Sequence, residues 1–316
     1  MTIHANNSNF RQILPVVLNG QPADELKACL KKSHLWSKVK VFKLTKNMRA
    51  ENSGDLRSVQ FAKDLLAVGE GRYPTDENGT ISLERLANNV KSTHELCQEV
   101  FPNLSVQYKN KEWLSERAIL ASKNTVVEAL NERLLQHIPG ETKTYRSTNK
   151  AVEEHDECEF PPELLDSLKP LGLPPHILSL KVGAPIMILR NLDPPRLCNG
   201  TRLIVKDLTD HLIDAEILSG KYKGERVLIP RIPMIPENYP FKFKRIQFPV
   251  KLCFAMSINK AQGQTLKVTG LHLIEPCFSH GQLYVALSRV GSPNHIYTYM
   301  GMQQRTKNFV IKAVLT

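Results

Sequence analysis

What this sequence has little of narrows the field first. Its six cysteines (Cys29, Cys97, Cys158, Cys198, Cys253 and Cys277) are scattered over 316 residues with no C-x-x-C pair. That pattern excludes a zinc ribbon or a disulfide framework and predicts buried, reduced thiols. No stretch approaches the roughly 18 uninterrupted apolar residues of a membrane helix. The first twenty residues lack the basic, apolar, small-residue order of a signal peptide. A soluble, intracellular chain with no membrane partner is therefore expected. Internal repeats and low-complexity tracts are missing, and so is any G-x-x-x-x-G-K-[ST] phosphate loop. Acidic residues are also scarce: 31 Asp plus Glu stand against 42 Lys plus Arg, a formal charge of +11. Such a balance favours a polyanionic partner, although a merely solvated basic surface gives the same number.

The length suggests about two domains at roughly 100–200 residues each, and 41% hydrophobic content is enough to give each a core. Apolar spacing predicts helices over Pro22–Lys32, Leu56–Val68 and Leu83–Val100, with a buried strand at Val39–Leu44. A strand at Ala118–Ala121 runs into a helix from Thr125 to about Leu135, whose Val126, Val127, Leu130 and Leu134 share a face. Between Gly140 and Pro162 the chain turns polar and acidic, which reads as an exposed connector. After Pro174-Pro175 come five short strands: Ile177–Leu180, Pro185–Leu189, Thr201–Asp207, Leu212–Ile217 and Arg226–Ile232. They suggest a small barrel. Helix–strand alternation then resumes, with strands at Val250–Met256, Leu271–Ile274 and Ile296–Tyr299 and a helix from about Ser279 to Ser288. The expected class is α/β, with a small β-barrel inserted in it.

Three segments carry chemistry. Lys260-Ala-Gln-Gly-Gln-Thr265 follows a strand and offers a flexible Gly263 between amide side chains, a turn whose N–H groups and Lys260 suit phosphate. A plain polar turn is equally consistent with it. Arg289 closes an apolar helix, where its planar fork can reach outward to phosphate or complement the helix dipole. Arg49 follows the strand at Val39–Leu44, at the end where α/β sheets bind ligands, although a structural ion pair would also explain it. The acidic run Asp156-Glu157-Cys158-Glu159 has polar neighbours and reads as solvated connector, not as a metal site.

Taken in order, these segments resemble the Pif-type helicases of superfamily 1, especially those carried by Helitron transposons. Phe10-Arg11-Gln12-Ile-Leu-Pro resembles motif III and Leu44-Thr-Lys-Asn-Met-Arg49 motif IV. Ser257-Ile-Asn-Lys-Ala-Gln-Gly-Gln-Thr265 is similar to motif V, and Phe278-Ser-His-Gly-Gln-Leu-Tyr-Val-Ala-Leu-Ser-Arg289 to motif VI. Val182–Leu192 with Asn199-Gly-Thr-Arg202 resembles the small Src-homology-like barrel of these helicases. The resemblance implies a RecA-like parallel-sheet domain of the P-loop NTPase type, divided as follows. Residues 1–18 would be the edge of a first RecA-like domain. Residues 19–175 and 241–316 would form the second, and 176–240 the inserted barrel.

The resemblance also implies roles. Arg49 and Arg289 would stabilise charge on a transferring phosphate, with Gln12 as γ-phosphate sensor and Gly263 and Gln264 beside the nucleotide. Asn124, Lys260, Gln262, Thr265, Arg190 and Arg202 would meet single-stranded DNA, with Lys206, Tyr222 and His280 as further candidates. ATP and Mg²⁺ would serve the intact family, and neither is expected to bind this chain tightly by itself. The Walker A loop and acidic Mg²⁺ motif that precede motif III in the family are missing, and Ser8-Asn9 stands where the family has Gly-Asp. A first RecA-like lobe supplied by upstream sequence, a monomeric state and a nuclear location are expected. With Arg289 exposed, its loss would leave folding nearly unchanged. Three readings stay open: the second motor lobe of a helicase, a non-catalytic single-stranded-DNA-binding module, and a decayed transposon remnant.

Overall fold

The computed structural model describes residues 9–15, 20, 22–40, 56–152, 160–236, 239 and 241–315. In chain order the elements begin with α1 (Pro22–Lys27), α2 (Leu56–Gly69), β1 (Thr80–Ser82), β2 (Asn88–Asn89), α3 (Thr93–Val100), α4 (Leu104–Gln107), α5 (Lys111–Ser115), β3 (Arg117–Ala121) and α6 (Asn124–Gln136). There follow β4 (Lys143–Arg146), β5 (Thr148–Ala151), α7 (Pro162–Ser167), β6 (Ile177–Leu180), β7 (Pro185–Ile188), β8 (Arg202–Leu208), β9 (Leu212–Ile217) and β10 (Arg226–Pro230). The remainder is β11 (Ile232–Met234), β12 (Phe243–Gln247), β13 (Val250–Leu252), β14 (Ala255–Ser257), β15 (Val268–His272), α8 (Gln282–Leu287), β16 (Ile296–Tyr299), β17 (Arg305–Lys307) and α9 (Lys312–Leu315). Two units emerge. The first holds Met1–Phe101, Arg117–Val127 and Met256–Thr316, and the second Pro102–Glu116 and Glu128–Ala255.

The first unit is organised by a sheet of order β14-β3-β15-β16-β2, in which β3, β15, β16 and β2 run parallel. Parallel strands are usually covered on both faces and read as apolar runs, and β3 is buried from Ala118 to Ala121. This is the expected α/β class. In β15 the central residue is Gly270, where a Cβ would stand 2.7 Å from Val100 and 3.2 Å from both Ile119 and Leu96. Glycine thus lets α3 lie close on the sheet. Helix α3 starts only at Thr93, well after the Leu83 expected from periodicity. Ser92 Oγ accepts the Glu95 amide at 3.0 Å, and the Glu95 carboxylate accepts the Lys91 amide at 2.6 Å. That cap sets the start. Leu83, Leu86 and Ala87 are buried in the turn before it.

In the second unit the five strands expected to form the barrel do not all join one sheet. Four of its five predicted strands do pair, in an antiparallel sheet of order β10-β9-β8-β7-β13. Ile177–Leu180, however, pairs with β4, and a third sheet runs β11-β12-β5. Alternation of side chains marks a strand without naming its partner. The unit is also wider than residues 176–240. Part of the connector expected at Gly140–Pro162 forms β4 and β5, and the acidic run Asp156–Glu159 with Cys158 lies outside the described residues. The predicted strand Val250–Met256 splits into β13 and β14, which belong to different sheets. The helix expected to Lys32 ends at Lys27, followed by a 3₁₀ turn at Leu30–Lys32. Most of the predicted strand Val39–Leu44 is outside the described residues. Among the described residues no helix is long and apolar enough to cross a membrane.

Two outcomes follow from this packing. Gly270→Val should destabilise the chain by about 1–3 kcal/mol in urea denaturation, because its branched side chain must displace Val100 and Leu96 from the sheet. Burial pushes the Cys277 thiol up to about 12. In the native chain at neutral pH it should therefore stay unlabelled by iodoacetamide, read by mass spectrometry, and become labelled in denaturant.

Candidate functional site

Strand β14 ends at Ser257 and passes into a 3₁₀ turn, Ile258–Ala261, that anchors itself through buried Ile258 and Ala261. From it Gln262, Gly263 and Thr265 emerge exposed, with Lys260 and Gln264 half-buried. Gly263 has φ +81°, and nothing lies within 4 Å of where its Cβ would be. The glycine therefore answers a backbone requirement and leaves the crest of the turn open to a ligand. Gln264 Nε2 donates to the Lys260 carbonyl at 3.1 Å, closing the turn.

Arg289 grips this turn from the end of α8. Its Nε–H donates to Val285 O at 2.7 Å, and Nη1 donates to Ala261 O at 3.2 Å and Gln264 O at 2.9 Å. Nη2 donates to Ser288 Oγ at 2.7 Å, while the Leu266 amide donates to Arg289 O at 2.9 Å. Only 4% of the residue is exposed. The expectation of an outward, dispensable cation is thus corrected. The guanidinium is tolerated in the interior because its fork of donors meets fixed carbonyl acceptors.

The segment Phe10–Gln12 meets the same region. Ile311 N–H donates to His280 Nδ1 at 2.9 Å, so Nε2 carries the ring proton and donates it to Phe10 O at 2.8 Å. Next to it Gly281, at φ +67°, lies so near the same segment that a Cβ would be 2.3 Å from Arg11 O and 2.7 Å from the Gln12 carbonyl carbon. Gln262 Nε2 donates to Gln12 Oε1 at 2.9 Å. Arg11 is held by Glu70 through Nε at 2.9 Å, and Arg72 shares that carboxylate. Burial alone would raise the Glu70 pKa. The hydrogen bonds from Arg72 and Arg11 outweigh it and hold the carboxyl below the usual glutamate range.

Gln12, Lys260, Gln262, Gly263, Gln264, His280 and Arg289 thus gather in the first unit. Sequence reasoning missed the residues that brace them. Gln282, 1% exposed, accepts the Phe278 amide at 3.0 Å and donates to Asn259 Oδ1 at 3.1 Å. Only their position within the quoted segments hinted at this. Other candidates stand elsewhere. Asn124 is the exposed first residue of α6. Arg190 and Arg202 belong to the second unit. Arg202, 3% exposed, donates to Ser115 O at 2.9 Å and Leu114 O at 3.3 Å, so the expected DNA contact is instead a buried clamp between β8 and α5. Lys206 pairs with Glu216 at 3.0 Å, and Tyr222 lies under Lys221 at 5.6 Å. Arg49, with all of Leu44–Arg49, lies outside the described residues.

The family model for "PIF1-like helicase" matches residues 7–79, and that for "DNA helicase Pif1, 2B domain" matches residues 163–208. The "ATP-dependent DNA helicase PIF1" of Danio rerio is 30% identical over 233 residues, which are 71% of this chain and 33% of that protein. The chain belongs to the Pif1-like helicase family. The Pif1 of Campylobacter jejuni is 28% identical over 210 residues, covering 63% of this chain and 46% of that relative. This Pif1-like chain therefore spans between a third and a half of the length of these two relatives. Its fold is similar to the crystal structure of Pif1 helicase from Candida albicans, with TM-score 0.62, 23% identity, and coverage of 97% of this chain and 66% of that one. A Bacteroides Pif1 solved with ADP-AlF3 and single-stranded DNA gives TM-score 0.61 at 21% identity, covering 95% of this chain and 62% of that one. The parallel sheet of the first unit is accordingly RecA-like.

Arg289→Ala should cost about 2–3 kcal/mol in urea denaturation, since it strips the Ala261 and Gln264 carbonyls of a charged donor. Glu70 should make stability pH-dependent. Its depressed pKa contributes stabilisation that is present above the pKa of the unfolded chain and is lost as pH falls through the lower, folded one. Urea midpoints measured from neutral pH into the acid range should fall more steeply in the wild type than in Glu70→Gln.

Proposed function

We propose that this Pif1-like chain serves as the second motor lobe of an ATP-dependent DNA helicase, gripping single-stranded DNA at the Lys260–Thr265 turn and presenting Gln12 and Arg289 to nucleotide. The observation that carries the reading is the double attachment of that turn: Gln262 is bonded to Gln12, and the Ala261 and Gln264 carbonyls are bonded to Arg289. Any pull on the guanidinium or on Gln12 is felt by the turn. Arg289 has the charge and the planar fork to exchange these carbonyls for phosphate oxygens, which would loosen the turn as nucleotide is engaged. Arg49 would act beside it. Gly263 leaves room for a strand to approach, and Lys260 supplies a cation there.

The relatives' name, ATP-dependent DNA helicase, supports this role, as does a Bacteroides Pif1 described as bound to single-stranded DNA. ATP and Mg²⁺ would be shared with a first RecA-like lobe bearing the Walker A loop and the acidic metal ligands. Among the described residues no three His, Cys, Asp or Glu side chains gather to hold a metal ion. The role is nuclear and the chain monomeric in this reading.

Fluorescence anisotropy with labelled single-stranded DNA tests the grip. Affinity should fall with salt, and Lys260→Ala should flatten the log–log slope by about 0.7, the value for one phosphate contact on a single strand. Salt-independent binding, or a slope that ignores Lys260, would count against the motor-lobe reading. The isolated 316-residue chain should release no phosphate from ATP on adding single-stranded DNA, since it has no phosphate loop to position the nucleotide. DNA-stimulated release that Arg289→Ala removes would show that the chain needs no partner lobe.

A further inference from the structure

The second unit carries a row of cations that the motor site does not use. In the β11-β12-β5 sheet, Lys244 of β12 stands directly opposite Lys150 of β5. Two residues before Lys244, Lys242 accepts the Val152 amide at its carbonyl and continues the ladder beyond the strand. All three lysines are exposed, while Phe243, Arg245 and Asn149, which alternate with them, are buried. The three therefore share the solvent face. Arg146, four residues before Lys150, is exposed in the same alternation.

Like charges directly opposite on a sheet repel, and proteins ordinarily place a carboxylate nearby. Elsewhere in this unit that is what is found: Lys111, Lys143, Lys169, Lys206 and Lys223 each lie within ion-pair distance of an Asp or Glu. Lys150, Lys242 and Lys244 make no ion pair among the described residues. No carboxylate occurs in β5, β11 or β12. A cross-strand pair of lysines with a third at the next same-face position, roughly 6.8 Å along at the antiparallel rise, makes a linear cationic edge.

We propose that this face binds the phosphate backbone of duplex DNA, as a site separate from the motor site and independent of the motor-lobe reading. The choice of duplex follows from what accompanies the lysines. Their exposed or half-buried neighbours on this face are Thr148, Ile246 and Pro233, with no aromatic ring on which an unpaired base could stack. The aromatics of this sheet sit on the other side, where Phe243 is fully buried and packs with Tyr239 and Phe241. Cations without stacking platforms suit the densely charged backbone of a duplex, read without regard to sequence.

The test is the salt dependence of binding to a short blunt duplex, measured by anisotropy on the whole chain. Replacing Lys150, Lys242 and Lys244 together by Ala should reduce the log–log slope by about 2.7, three contacts at about 0.9 each. The same three positions changed to Gln should give the same loss while keeping the length of the side chains, and circular dichroism checks that both variants fold. A charge-matched control replaces Lys123, Lys169 and Lys223, each of which has a carboxylate partner, and should leave the slope nearly unchanged. An equal loss in the control would mean that net charge alone attracts DNA and would overturn the proposal. So would an unchanged slope in the triple variant. A loss seen with single-stranded DNA but not with the duplex would overturn the choice of partner. Lys260→Ala should not alter the duplex slope, which separates failure of this site from failure of the motor site.

Discussion

The approach of the Arg11–Gln12 backbone to Gly281 is the constraint on which the rest of the candidate site depends. With the Arg11 carbonyl 2.3 Å from the position of a Cβ, no other residue fits there without moving the chain, and the positive φ excludes most others in any case. Because the backbones meet so closely, the His280 ring can span from Phe10 O to the Ile311 amide, and Gln12 comes within reach of Gln262. Segments some 250 residues apart in sequence are thereby joined in one hydrogen-bonded cluster.

Buried arginines do similar work throughout. Arg289, Arg202 and Arg245 each spend their donors on backbone carbonyls, and Arg245, with no exposed surface, reaches Pro174 O, Leu165 O, Leu168 O and Asn149 Oδ1. Desolvation works against the charge and lowers the Arg245 pKa from its ordinary value. The planar fork makes the burial tolerable by satisfying several carbonyls that would otherwise be orphaned at loop ends. Part of the chain's positive charge is therefore structural, and counting lysines and arginines overstates what is left for a polyanion. The solvent-facing lysines of the β11-β12-β5 sheet differ in that they make no ion pair among the described residues.

In the proposed motor-lobe role this arrangement has a mechanical sense. A turn that contacts DNA must respond to the nucleotide state, and the shortest route is a shared hydrogen-bond donor. Arg289 is such a donor, bonded at once to its own helix and to two carbonyls of the turn. The clamp formed by Arg202 in the second unit ties β8 to the carbonyls at the end of α5.

Much was legible without coordinates. The strand at Ala118–Ala121, the helix after it, the strand at Ile296–Tyr299 and the boundaries of β7 to β10 follow from apolar periodicity and turn residues, because burial of a local face is a local property. The gathering of Gln12 with the Lys260–Thr265 turn and Arg289 was reached through resemblance to a family, since no spacing rule relates residue 12 to residue 262. Periodicity failed where a cap overrode it, at Ser92, and where strands had to choose partners, at Ile177–Leu180 and Val250–Met256. It failed most plainly for the cations. Whether an arginine points to solvent or into a nest of carbonyls depends on which segments converge on it, and nothing local in sequence distinguishes Arg289 and Arg202 from exposed arginines. The chain's residues alone determined its α/β class, its family and its run of strands. Tertiary structure alone decided which charges are buried and which remain for a partner, because acceptors for a guanidinium are assembled only when distant segments meet.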